Sequence, residues 1–227
     1  MDYKDKYIKY KTKYLKLKDM DVNNQIGGSK DNLIIHVSGP SGSGKTTLGN
    51  KLKEKFKSKI IVKDLDDLRA EFIDSYYSKK YNWENFDSNA YQAFLDKYIL
   101  SQKKPLVLVG LNHMFWHNKK LYYNVHSQYN YYIDIDNMLI VKQKCIRFLT
   151  DELKDMVTKN KSIISDITEN NEKFVRLIKE NIERECGTKE TIKINNMWNK
   201  DYSKQGYTFT TRENIYKSIV KILNRVI

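Results

Sequence analysis

From residue 31 onward the chain alternates short apolar runs with stretches of helical spacing. Leu33-Ile34-Ile35-His36-Val37, Ile60-Ile61-Val62-Lys63, Leu106-Val107-Leu108-Val109 and Tyr131-Tyr132-Ile133-Asp134-Ile135 are too short for helices and rich in the β-branched and aromatic residues of buried sheets. They predict strands. Between them, Lys45 to Phe56, Leu65 through Ser101 (broken by polar aromatics near Tyr81 to Phe86), Met138 to Met156 and Asn171 to Glu185 predict helices. A short strand at Tyr207-Thr208-Phe209 precedes a closing helix whose Thr210-Thr211-Arg212-Glu213 start reads as a capping box. Strands that alternate with helices imply a parallel sheet covered on both faces. The expected fold is α/β, a three-layer α/β/α sandwich with a mostly parallel sheet and a helical lid inserted at about residues 148–190.

The first twenty residues follow a different pattern. Tyr3, Tyr7, Tyr10, Tyr14 and Leu17 recur at spacings of 4, 3, 4 and 3, with lysines on the other faces, which predicts a basic amphipathic helix. A helix of that length is not stable alone in water, so a solvated tail is the competing expectation. Residues 21–30, with Asn23-Asn24 and Gly27-Gly28-Ser29, read as a linker. The main domain is therefore expected over residues 31–227.

Composition narrows the class. Hydrophobic residues are 40% and charged residues 30% of the chain, which excludes a disordered protein. The longest apolar run, Pro105 to Leu111, falls far short of the roughly 20 residues a bilayer demands, and no secretory signal precedes it. Only Cys145 and Cys186 occur, without zinc-type spacing, which predicts a reducing, cytoplasmic setting. The net charge of +13 attracts phosphate-rich partners, nucleotides and nucleic acids among them. Lys, Asn, Ile and Tyr all have A/T-rich codons, however, so genome composition accounts for part of that charge, and a nucleic-acid partner is not the favoured expectation.

The most specific feature is Gly39-Pro40-Ser41-Gly42-Ser43-Gly44-Lys45-Thr46, which satisfies G-x-x-x-x-G-K-[ST] directly after a predicted strand and at the start of a predicted helix. Glycines there allow successive backbone N–H groups to converge on phosphate oxygens, and the helix turns its positive end to the same anion. The expected ligands are ATP or GTP and Mg²⁺. Gly39, Ser41, Gly42, Ser43 and Gly44 would cradle the phosphates, Lys45 would reach the β- and γ-phosphates, Thr46 would ligate the metal, and Thr47 would meet the α-phosphate.

Phosphoryl transfer needs alignment, a metal and positive charge around the transferring group. Asp64-Leu65-Asp66-Asp67 ends the second strand, on the edge where open α/β sheets bind ligands. Either Asp64 or Asp66 is expected to hold a metal-bound water or accept the substrate proton, with Asp64 the metal candidate, and Asp67 to cap the following helix or serve as an acid of its first turn. Arg69 is placed to grip an acceptor, the plainer alternative being an ion pair with Asp66 or Glu71. The third strand ends Val109-Gly110-Leu111-Asn112-His113 with no acid, which throws the metal-holding duty on the Asp64–Asp67 group and leaves Gly110 to keep the floor open. His113 and His117 lack a third ligand and read as rim or loop residues. Arg147, beside Lys142 and Lys144, is the candidate lid base, whereas Arg176 and Arg184 read as solvated. Tyr76, Tyr77, Tyr81, Trp83, Phe86 and Tyr91 form either a base-stacking pocket or, at their mixed spacing, core.

On these residues the region 31–227 resembles the nucleoside and nucleotide kinase branch of P-loop proteins, through GPSGSGKTT, DLDD, YYIDID with its basic helix, and the closing GYTFTTRENIYKSIVKIL. The resemblance implies a P-loop-type sheet and a small-molecule kinase. The acid and arginine signatures of adenylate, thymidylate and deoxynucleoside kinases are missing, so uridine-kinase-like, shikimate-kinase-like and adenylylsulfate-kinase-like acceptors all stay open. Residues 9–18 resemble a Lys/Tyr segment of giant DNA virus proteins, which implies a viral protein of the host cytoplasm or virion. The leading expectation is an ATP-dependent phosphotransferase acting on a small metabolite, a nucleoside or nucleotide. A polynucleotide 5′-hydroxyl kinase and a non-catalytic, switch-like NTP-binding module are the alternatives.

Overall fold

The computed structural model describes residues 33–77, 86–116, 119–159 and 169–227; the basic segment 1–20, Tyr81, Trp83 and His117 lie outside them. Leu33–Ile227 groups as one unit. Five strands, β1 (Ile34–Ser38), β2 (Ile61–Asp64), β3 (Leu106–Val109), β6 (Tyr129–Ile133) and β7 (Thr208–Thr210), form an all-parallel sheet of order β2-β3-β1-β6-β7. A separate antiparallel pair, β4 (His113–Trp116) and β5 (Lys119–Tyr122), follows β3 and has no counterpart in the expected elements.

The alternation along each strand sorts the core onto two faces. Ile35, Val37, Val107, Val109, Tyr131 and Ile133 pack on one face against Leu48, Leu52 and Phe56 of α1 (Lys45–Phe56) and Ile215, Ile219 and Leu223 of α8 (Arg212–Val226). Both helical triplets recur every four residues, which places them on one stripe. On the other face Ile34, Leu106 and Leu108 meet Leu65, Leu68 and Phe72 of α2 (Leu65–Tyr77) and Tyr91, Leu95 and Ile99 of α3 (Ser88–Ser101). Tyr132, Tyr202 and Tyr207 extend that layer beneath α7 (Thr188–Lys204). The result is the expected α/β/α sandwich. Each fully buried leucine or isoleucine contributes about 1.5–3 kcal/mol.

The remaining helices form the insert between β6 and β7. They are α4 (Asn137–Arg147), continued by a π-helical turn at Phe148–Glu152 into α5 (Leu153–Lys159), and α6 (Glu169–Cys186). Cys145 and Cys186 are joined by a disulfide that ties α4 to α6, and a Lys144–Glu185 ion pair of 3.0 Å joins the same helices one residue away. The pairing departs from the reduced thiols expected of two cysteines without a local motif: each lies near the end of its helix, and the two helices are adjacent. Among the described residues no helix is long and apolar enough to cross a membrane.

The strand order fixes where a ligand can sit. β1 is followed by α1, which carries the chain toward β2, whereas neighbouring β6 is followed by the insert, which carries it toward β7 on the opposite side. Crevices at such switch points, beyond the carboxyl ends of the strands, are where open parallel sheets bind ligands.

Candidate functional site

The carboxyl edge gathers the residues singled out by the sequence. Val37, Val109 and Asp64 stand level across β1, β3 and β2, and Ser38 stands level with Tyr132 of β6. Gly39 to Gly44 therefore leave the middle of the sheet, and α1 begins at Lys45. Gly42 and Gly44 have φ of 81° and 86°, left-handed values that favour glycine. A methyl group on Gly42 would come within 3.2 Å of Gln143 Cβ, so α4 lies directly against the tip of the loop.

Gly44 is the N-cap of α1, with no side-chain cap and no acid in the first turn. By contrast, Asp87, Asp136 and Thr211 cap α3, α4 and α8 through their side chains. The α1 terminus thus presents free amides and the positive end of its dipole, a combination suited to an anion. Ser38 Oγ, Ser43 Oγ and Gln143 Oε1, all at this loop, are buried without a hydrogen-bond partner among the described residues. Buried polar atoms are nearly always satisfied, so three exceptions around one loop suit a polar ligand there.

Lys45 Nζ folds back to donate to Gly39 O at 2.7 Å and Pro40 O at 2.9 Å. Its withdrawal from water pulls its pKa down to about 8, with Asp66 and Asp64 opposing the shift and Arg147 adding to it. Asp64, Asp66 and Arg147 are therefore each within electrostatic reach of Lys45. Arg147 ends α4, four residues beyond Gln143, so its place beside Lys45 follows from the seating of α4 on the loop.

Thr46 and Asp64 also meet: Thr46 Oγ1 lies 3.5 Å from Asp64 Oδ2. Two hard oxygen donors at one spot fit magnesium, which binds through one or two protein oxygens together with phosphate oxygens. Among the described residues no group of three or more acidic, His or Cys side chains could hold a metal ion unaided. Burial raises the Asp64 pKa, with the neighbouring Asp66 and Asp67 charges adding to the effect. Asp64 Oδ1 accepts a hydrogen bond from Asp66 N at 3.0 Å, so Asp64 caps α2. Asp67 is a first-turn acid of that helix, where it complements the dipole.

Arg69 forms a 2.9 Å ion pair with Asp66, the plainer of its two expected partnerships. Lys63 takes Glu71 instead. Arg69 also lies close enough to the phenols of Tyr91 and Tyr123 to oppose the rise that burial imposes on their pKa values. Among the described residues of the aromatic segment, Tyr77, Phe86 and Tyr91 belong to the core and pack edge-on or tilted about Phe72, whereas Tyr76 is exposed. Arg176 and Arg184 pair with Glu180 and Glu185 on the surface of the insert.

Gly110 closes the floor with φ of 135°, and a methyl group there would stand 2.9 Å from Leu65 Cβ and 3.2 Å from Asp64 Oδ1. Its carbonyl accepts from His36 Nε2 at 3.0 Å, while His36 Nδ1 accepts from the Tyr207 hydroxyl. Burial lowers the His36 pKa to about 4, so the ring is neutral and this tautomer is fixed by its two partners.

One neighbour of the loop was missed by the sequence pattern. A methyl group on Gly44 would stand 2.3 Å from Nη1 of Arg212, so that guanidinium lies across the start of α1. By spacing alone Arg212 reads only as part of a capping box. The general signal was available, since any residue just after a parallel strand lies on the carboxyl edge.

Compared with known proteins, the chain matches no family model, and no curated protein matches it significantly.

Proposed function

We propose that this chain is a magnesium-dependent P-loop phosphotransferase that moves the γ-phosphoryl group of ATP, or of GTP, to a small metabolite, with a nucleoside or nucleotide as the favoured acceptor. The observation that carries the reading is the uncapped Gly39–Thr47 loop at the sheet's switch point, with Lys45 on its carbonyls and Thr46 against Asp64. Backbone amides and Lys45 hold the phosphate tail. Thr46 and Asp64 would hold magnesium, which would supply neutralisation of the negative charge on the phosphate tail.

Asp64 is committed to Thr46 and to the α2 cap, which leaves Asp66 to take the proton of an acceptor hydroxyl. Arg69 orients that carboxylate. Arg147, beside Lys45, offsets charge on the transferring group. A new bond forms between acceptor oxygen and γ-phosphorus as the bond to the β,γ-bridging oxygen breaks.

A second reading, a polynucleotide 5′-hydroxyl kinase, is favoured by the Asp66–Arg69 pair, because a carboxylate beside a guanidinium suits a hydroxyl that neighbours a phosphate. The test is ADP release across nucleosides, nucleotides, sugar acids and 5′-hydroxyl oligonucleotides. Turnover with a small acceptor supports the first reading, and turnover with oligonucleotides alone supports the second. A flat response across all of them contradicts both.

A further inference from the structure

Arg212 stands out as a cation without a use in the scheme above. It occupies the first turn of α8, where the helix dipole disfavours positive charge. Its neighbour Glu213 pairs with Lys217 at 3.8 Å, whereas among the described residues no carboxylate pairs with Arg212. Its exposed side chain lies beside the loop: methyl substitution of Gly44 would meet Nη1 at 2.3 Å, Cδ at 3.1 Å and Cζ at 3.3 Å. The glycine gives the guanidinium room to lie along the loop.

The strand order says which end of a nucleotide it would meet. Asp64 lies at the end of β2, two strands to one side of β1, and Arg212 follows β7, two strands to the other. A triphosphate lying across the edge with its transferring group toward Asp64 and Asp66 turns its nucleoside end toward Arg212. Arg147 and Lys45 serve the first end. Arg212 lies against Gly44, the residue that precedes the first amides of α1.

We propose that Arg212 is a nucleotide-binding residue, its guanidinium gripping the α-phosphate of the bound nucleotide, so that the site holds one arginine for the phosphate that stays and another for the phosphate that leaves. This rests on the nucleotide reading of the loop and adds a residue to it. A guanidinium on phosphate makes charge-assisted, bidentate hydrogen bonds.

The test is equilibrium binding of ATP, ADP and GTP, with magnesium, to the full chain and to its Arg212→Ala and Arg212→Lys variants, each checked for an unchanged thermal midpoint. Arg212→Ala should weaken all three nucleotides equally, by roughly 10- to 100-fold, and Arg212→Lys should restore part of the loss because it keeps charge but not the fork. Loss of ATP binding with ADP unaffected would move the residue to the transferring end and overturn the assignment. A loss confined to one base, or binding within twofold of wild type, overturns it as well. Wild-type protein that binds no nucleotide would instead remove the parent reading.

Discussion

Replacing Gly110 by alanine measures how tightly the floor of the site is built. At φ of 135° an alanine is strained, which costs about 1–3 kcal/mol. Its methyl group would also stand 2.9 Å from Leu65 Cβ, and Leu65, the first residue of α2, is fully buried, so it has nowhere to retreat. Overpacking of that kind costs about 1–3 kcal/mol more. The sum, about 2–6 kcal/mol, is a large part of the total stability of a domain. Gly206→Ala is the internal control, because Gly206 has φ of 78° and nothing within 4 Å of an added methyl. It should cost only the strain, about 1–2 kcal/mol. Urea unfolding followed by circular dichroism gives both values if the slope m is unchanged. The reasoning is refuted if Gly110→Ala stays within about 0.5 kcal/mol of wild type, or costs less than Gly206→Ala.

Three further outcomes follow from particular groups. The His36 pKa of about 4 lies below the 6.5 of an exposed imidazole, so the unfolded chain binds the proton first; stability should fall by about 3 kcal/mol as pH drops from 6.5 to 4, and His36→Gln should flatten that slope. Parallel pH curves for wild type and variant would contradict it. Lys45, with its pKa lowered from 10.5 to about 8, should lose its charge as pH rises above 8, so nucleotide affinity should fall about tenfold per pH unit there in calorimetric titrations. An affinity flat from pH 7 to 9.5 would refute that role. The Cys145–Cys186 disulfide closes a loop of sequence separation 41, for which chain entropy gives up to about 4 kcal/mol; reduction, or Cys145→Ser, should lower the thermal midpoint, and an unchanged midpoint would contradict it.

What the sequence made legible follows from physics that acts locally. β1, β2, β3 and β6 lie within two residues of their expected bounds because strands of a covered parallel sheet are short, nearly continuous apolar runs. The glycine loop was legible because its geometry needs particular residues in order. Helix α7 escaped notice because the positions it buries include Thr191 and Asn195, the latter bonded to Asn137, so its inner stripe is polar and leaves no hydrophobic period. The β4–β5 pair was missed likewise, in a segment read only for its histidines. The α8 cap is shifted by a residue, since Thr211 rather than Thr210 accepts the α8 amide, whereas Asp67 is a first-turn acid, one of its two expected places, and Asp64 takes the α2 cap. The disulfide, the seating of α4 on Gly42 and the place of Arg212 depend on strand order and on separations of tens of residues, which no local pattern encodes.

The central claim is that the Gly39–Thr47 loop grips a nucleoside triphosphate through its amides and Lys45. The most direct measurement is calorimetric titration of the full chain with magnesium-ATP and magnesium-GTP, alongside the Lys45→Ala variant. The account predicts saturable binding of at least one nucleotide by the wild type, weakened by roughly 10- to 100-fold in the variant through loss of a charge-assisted contact. Absence of binding by the wild type, or equal affinities for the two proteins, would contradict it.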